Sequence, residues 1–279
     1  MKRKYIFVAI IAIMAMCLLT GCGKNETENA VFTESTQNET TTETQKEENK
    51  ETQSLENVDF EKAAQNQMAI PQEGEDIAIF HVKGFGEIKI KLFRDIAPKA
   101  VENFVTHAQN GYYNDVIFHR VINEFMIQGG DPTGTGYGGE SIWGTGFAEE
   151  LSYELVPYRG TLCMASSGTG TSSLGSQFFI TQAHYDEMSA QYMESYNLPK
   201  GLIEQYKKYG GNILSLYTRY TVFGQVYEGM DIVDKIAAVK TGSVPVVIDG
   251  VEYPGRTQDD KPVDDVVIEK IEITTYKAN

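Results

Sequence analysis

From Ile77 onward, apolar residues come in short runs closed off by glycine, and this pattern constrains the fold more than any other feature of the chain. Ile77 to Val82 and Glu87 to Phe93 alternate apolar and polar on either side of Gly84-Phe85-Gly86, the pattern of a half-buried hairpin. Further short runs follow at Val116 to Val121, Phe125 to Gln128, Thr161 to Ala165, Gln177 to Thr181 and Thr221 to Val226, and Val266 to Thr275 alternates again. Between them, Ala100, Val101, Phe104, Val105 and Ala108 recur at helical spacing, with Pro98 just inside the start and Gly111 just past the end. Met230 to Val239 reads as a second helix. Many short strands with two helices predict a mainly β architecture, a closed barrel capped at its ends.

The first 69 residues do not belong to that pattern. Lys2-Arg3-Lys4 precedes an uncharged apolar stretch from Tyr5 to Leu19, shorter than the ~20 residues of a spanning helix and arranged like a secretory leader. It ends in Leu19-Thr20-Gly21-Cys22, which resembles the bacterial lipobox. That resemblance implies a signal peptide over residues 1–21, lipid on the Cys22 thiol, and a mature protein anchored to the cell membrane outside the cytoplasm. Residues 22–69 are then expected to be an acidic tether. Glu, Thr, Gln, Asn and Lys dominate up to about Asn66, too little apolar surface to offset ordering entropy. A flexible segment of roughly 40 residues has an r.m.s. reach of about 35 Å. The predicted folded domain is 70–279, with a helical insertion at about 185–211.

Charge and cysteine usage narrow the partners. A formal charge of -15 repels nucleic acid and anionic surfaces. Cys17 leaves with the leader and Cys22 carries lipid, so Cys163 alone remains in the folded part, where its apolar setting reads as a small buried hydrophobe. Nothing in the chain demands a cofactor or an oligomer, and a monomer is expected.

Chemistry concentrates in Phe118 to Pro132, FHRVINEFMIQGGDP, and in Gly175 to Ile180, GSQFFI. These segments bring one arginine, one glutamine and several large apolar side chains, with no nucleophile, base or metal cluster nearby. Such parts suit a reaction in which no atom is exchanged. Gly134 to Gly139 lacks the Gly-Lys-Ser/Thr ending of a phosphate loop and reads as a turn bordering a groove. His81, His107, His119 and His184 show no metal-ligand spacing, and no serine sits in a nucleophile elbow.

The blocks APKAVENF, FHRVINEFMIQGGD, MAS, GSQFFIT, TVFGQV and EGMDIVDKI, in that order, resemble the cyclophilin-type peptidyl-prolyl isomerases over nearly all of residues 75 to 275. The resemblance implies an eight-stranded antiparallel barrel with two capping helices, a proline-binding groove on its outer face and no cofactor. Peptide-bond rotation meets a barrier of about 18–20 kcal/mol because nitrogen donates its lone pair into the carbonyl. A guanidinium has five donors and no acceptor, so Arg120 cannot act as a general base but can aim an N–H at the prolyl nitrogen as it becomes pyramidal. Phe125, Met126 and Phe179 resemble the pocket for the proline ring, Leu216 its outer wall, and Gln128 the residue that bonds a substrate carbonyl. Ala165, Ser166 and Ser167 fall where the family lays backbone along the substrate, Gln177 lines the floor, and His119 supports the site.

Two departures from the family pattern stand out. Tyr220 replaces a histidine beside the pocket, keeping an aromatic wall with a polar tip. Ser215 falls where well-known members carry a tryptophan, which lowers the expected affinity for cyclosporin. The insertion is the second departure. Glu187 to Tyr196 can form one helix and Pro199 can begin another, with Leu202, Ile203, Tyr206 and Tyr209 on one face until Gly210-Gly211. It reads either as a lid or docking surface over the groove, or as a helical pair packed on the barrel. Pro245 to Pro254 reads as an exposed hairpin without a function. The expected activity is isomerisation of X-Pro bonds in unfolded or nascent secreted chains. A low-turnover binding module for proline-containing segments is the alternative, disfavoured because a passive holder needs no aimed guanidinium.

Overall fold

The computed structural model describes residues 55–168, 173–248 and 250–278; the leader, Cys22 and most of the tether lie outside them. A single turn of 3-10 helix (Leu55–Asn57) leads into α1 (Phe60–Met68). Next come β1 (Asp76–Val82), β2 (Gly86–Leu92), α2 (Pro98–Gln109), β3 (Val116–Ile117), β4 (Arg120–Ile122) and β5 (Met126–Gly129). The chain continues through β6 (Thr161–Ser166), β7 (Leu174–Thr181), α3 (Glu187–Ser195), α4 (Lys200–Tyr209) and α5 (Ile213–Leu216). Last are β8 (Val222–Glu228), α6 (Met230–Ala237), β9 (Thr241–Ile248), β10 (Val251–Pro262) and β11 (Val267–Thr275).

Nine strands form one antiparallel sheet in the order β3-β11-β1-β2-β8-β6-β7-β5-β4, and β9 pairs with β10 alone. The sheet is a curled half-barrel, which corrects the expected closed eight-stranded barrel. The reason lies at Phe118-His119. The two end strands, β3 and β4, are consecutive pieces of one extended segment, the first pairing with β11 and the second with β5. At the break Phe118 donates its N–H to the Val266 carbonyl at 2.9 Å, and the His119 carbonyl accepts from the Gln258 side chain at 3.0 Å. Backbone groups that a closing ladder would satisfy are satisfied there by other partners.

Inside the curl, Phe178 meets Phe80 edge-on at 5.4 Å and Phe104 at 5.7 Å between ring centroids. Ile88, Ile90, Val121, Ile127, Leu162, Ile180 and Phe223 complete a dry core on which α2 lays Val101 and Phe104 and α6 lays Val233 and Ile236. Both expected capping helices, α2 and α6, and both helices of the insertion, α3 and α4, are present; α1 and α5 bring the total among the described residues to six.

The folded domain begins before Ile70, its expected start. Asp59 caps α1 by accepting the Lys62 N–H, Phe60 and Ala64 enter a second apolar cluster, and Gln67 is buried in contact with Val156, Thr161 and Gln225. That second cluster also holds Met193 of α3, Leu202, Ile203 and Tyr206 of α4, and Ile213 of α5. The insertion and α1 thus share one small core beside the sheet. A composition dominated by Glu, Gln and Asn concealed a helix that needs only one narrow apolar stripe because its partner helices supply the rest.

Candidate active site

Strand alternation builds the site. Along one cross-strand row Arg120 of β4 stands opposite Gln128 of β5, Gln128 opposite Phe179 of β7, and Phe179 opposite Cys163 of β6. Their neighbours Val121, Ile127, Phe178, Ile180, Leu162 and Met164 point into the main core. With a side-chain period of two, the row itself must face outward. There Met126, Cys163, Phe179, Leu216 and Val222 form a smaller apolar cluster, with Phe125, Ala165 and Tyr220 partly buried against it. The Cys163 thiol is fully buried and held well above its ordinary range by desolvation, as its apolar setting predicts.

A hollow of about 530 Å³ opens over this cluster, lined by His119, Arg120, Phe125, Met126, Gln128, Ala165, Ser166, Phe179, Leu216 and Tyr220. Ser167 and Gln177 line an adjoining hollow that shares Gln128, Ala165 and Ser166 with the first. Every candidate site residue of the folded domain therefore lies in one of two neighbouring depressions. Phe179 and Tyr220 meet edge-to-face at 5.4 Å and form one wall. Ser215, in the tryptophan position, is exposed and turned to Asn212, and does not line the hollow. No residue of α3 or α4 lines it; both helices pack with α1 and Val156 in the second apolar cluster.

A polar chain crosses the floor. Gln177 Nε2 donates to the carbonyls of Gly136 and Gly138 at 3.0 and 2.8 Å, and Gln128 Nε2 donates to Gln177 Oε1 at 2.9 Å. Because the glycine carbonyls can only accept, both amide orientations follow, and Gln128 Oε1 must face Arg120, whose Nη1 lies 3.5 Å away. Asp131 braces the same loop, accepting from the N–H groups of Thr133, Gly136 and Gly138 at 2.8, 2.7 and 3.1 Å. Desolvation, the largest single effect, pushes its carboxyl up, but the Thr133 hydroxyl at 2.8 Å and these N–H groups together outweigh it and hold the carboxyl below the ordinary range.

His119 is 2% exposed, and neither ring nitrogen has a hydrogen-bond partner among the described residues. Burial, reinforced by Arg120 and Lys261 and opposed by Asp131, pushes its pKa down to about 4. The ring is therefore neutral near pH 7. The arrangement can bind an apolar ring and hold an amide between the Arg120 guanidinium and the Gln128 carboxamide.

A family model described as cyclophilin type peptidyl-prolyl cis-trans isomerase/CLD matches residues 77–273. The chain belongs to this family. A Staphylococcus epidermidis protein named "Putative peptidyl-prolyl cis-trans isomerase" is 45% identical over 204 residues, covering 72% of this chain and 93% of its own. One from Staphylococcus aureus is 44% identical with the same coverage. A cyclophilin-type isomerase from Cryptosporidium parvum, solved by crystallography, superposes with a TM-score of 0.53 at 30% identity, over 73% of this chain and 99% of its own. The protein is a cyclophilin-type peptidyl-prolyl cis-trans isomerase, an enzyme that uses no cofactor.

Two groups of lining residues went unrecognised in the sequence. Thr135, Gly136 and Tyr137 belong to the glycine-rich turn, which was expected to border a groove but without named contacts. Thr257, Gln258, Asp259 and Asp260 come from β10, just beyond Pro245 to Pro254, the stretch read as an exposed hairpin without a function. Their polar, exposed-looking sequence carried no signal; only the tertiary fold brings β10 against β4.

Proposed function

We propose that this isomerase acts outside the cytoplasmic membrane on X-Pro bonds of secreted or surface chains, anchored by lipid on Cys22, with Arg120 as the group that lowers the rotational barrier. The observation that carries the mechanism is the directly opposed pair Arg120 and Gln128 at the rim of an apolar hollow. The proline ring enters between Phe125, Met126, Phe179 and Leu216. Tyr220 covers its edge. Gln128, with its carboxamide N–H groups turned away from Arg120, donates to a substrate carbonyl and holds one side of the amide while the other turns. Arg120 directs an N–H to the prolyl nitrogen, whose lone pair becomes available only in the twisted state. That bond is stronger in the transition state than in either planar form, so it accelerates both directions. Each ~1.4 kcal/mol of such difference gives about tenfold in rate. The solution of the Cryptosporidium parvum relative in the presence of the dipeptide Ala-Pro supports a proline-sized ligand.

The cellular assignment is supported by the basic leader, the Leu19-Thr20-Gly21-Cys22 ending and the acidic stretch behind it. Uncatalysed X-Pro exchange takes tens of seconds or longer, slow enough to limit refolding after export. Labelling of cells with radioactive palmitate, together with protease treatment of intact cells, tests it. The wild type is expected to be labelled and degraded from outside, with the label lost in Cys22→Ser. An unlabelled protein that survives protease until the cells are lysed would overturn the location.

A further inference from the structure

Arg120 sits on an end strand of the sheet. β4 is three residues long and ends the nine-stranded order, so among the described residues its outer edge pairs with no strand. What lies along that edge is β10. Gln258 Nε2 donates to the carbonyls of His119 and Gly134 at 3.0 and 3.1 Å, tying the residue before Arg120 to the turn on the far side of the groove. Two residues on, the β9–β10 ladder loses register between Gln258 and Lys261. Within this irregularity Asp260 adopts φ 60°, a left-handed backbone that non-glycine residues rarely accept. The bulge turns its carboxylate toward the groove, to 3.9 Å from Arg120 Nε. Bulges of this kind re-aim a side chain, and strained residues persist where the surroundings hold them.

The guanidinium is thereby approached on two sides, by Asp260 at Nε and by Gln128 Oε1 at Nη1. Rotation about the last bonds of a long side chain otherwise spreads its donors over several directions. We infer that the β9–β10 hairpin is part of the active site: Gln258 and Asp260 are positioning residues that fix β4 and orient Arg120, leaving its remaining N–H groups free for the prolyl nitrogen. The inference rests on the reading of Arg120 as the catalytic group.

The test is steady-state isomerisation of a proline peptide by the full-length chain and by Asp260→Asn, Gln258→Leu and Arg120→Lys, singly and combined. Asp260→Asn keeps shape at a half-exposed position and is expected to lower kcat about threefold, as for a solvent-screened ion pair, with KM unchanged. Gln258→Leu removes two hydrogen bonds to the backbone and is expected to lower kcat about tenfold. In Arg120→Lys, which has no Nε–H for the carboxylate to orient, Asp260→Asn has no further effect; independent losses would mean the two residues do not act through one another. The Arg120 Nε–H resonance in a proton–nitrogen NMR spectrum supplies a readout that turnover does not. It is expected to shift in Asp260→Asn while the main-chain amides of the core stay in place. If Arg120→Lys is impaired but both hairpin variants turn over like the wild type with that resonance unmoved, the hairpin inference is overturned and the reading of Arg120 stands. If Arg120→Lys itself is as fast as the wild type, the reading of Arg120 fails and the inference with it.

Discussion

Gln67 is the residue whose replacement most sharply tests whether α1 belongs to the folded domain. It is 1% exposed and bonded to groups far along the chain. Its Oε1 accepts the Val156 N–H at 3.0 Å, and its Nε2 donates to the Val156 carbonyl at 2.7 Å and to Gln225 Oε1 at 3.1 Å. Gln67→Met keeps the length and the helix propensity but removes every polar atom. The Val156 N–H is then left buried without an acceptor. Both acceptors that lose Gln67 Nε2 keep another donor: the Val156 carbonyl accepts the Tyr158 N–H at 2.7 Å, and Gln225 Oε1 accepts the Thr161 hydroxyl at 3.0 Å. One buried donor therefore ends unsatisfied, at about 1–3 kcal/mol, so the expected loss is about 2 kcal/mol. For a domain of this size about 2–4 °C accompanies each kcal/mol, which places the fall in Tm at about 4–8 °C. Thermal unfolding followed by circular dichroism reads it directly. A shift below about 2 °C would refute the burial of this network and return α1 to the tether.

Other consequences follow from single groups. An unfolded chain takes up a proton on His119 near pH 6.5, whereas the folded protein refuses it until about 4. Stability from this residue is whole above pH 6.5 and lost as the pH falls toward 4, by about 3 kcal/mol, so His119→Phe is expected to flatten that part of the pH profile in denaturant titrations. An unchanged slope would show that the ring is hydrated. Gly211 has φ 110°, and a methyl group there would lie 2.3 Å from the Pro157 carbonyl oxygen, so Gly211→Ala is expected to cost at least about 2 kcal/mol by thermal or chemical unfolding. A neutral outcome would mean that the junction between the insertion and the segment leading into β6 can shift.

What the sequence revealed follows from the range of the interactions involved. Arg120, Phe125, Met126 and Gln128 lie in one run, and Gln177 and Phe179 in another, so two local patterns carried most of the groove once strand alternation turned them outward. Helix α4 was legible because Pro199 starts it, Leu202, Ile203 and Tyr206 make one buried face, and Gly210 with φ 68° stops it. Three features were not legible. Helix α1 has a polar sequence, and its docking depends on Val156, 89 residues away. The open edge of the sheet depends on a break at Phe118-His119 within a run that reads as one continuous strand. Asp260 reaches Arg120 through a bulge whose backbone strain no local pattern announces.

The most direct measurement for the account as a whole is the cis-trans exchange rate of a proline peptide with the full-length chain beside its Arg120→Ala variant, with the fold of both checked by circular dichroism. The account predicts fast exchange by the wild type and a fall of at least about tenfold in the variant, the loss of at least ~1.4 kcal/mol of differential binding to the twisted amide. A variant as fast as the wild type would contradict it, since the barrier would then be lowered by the apolar hollow and Gln128 without the guanidinium.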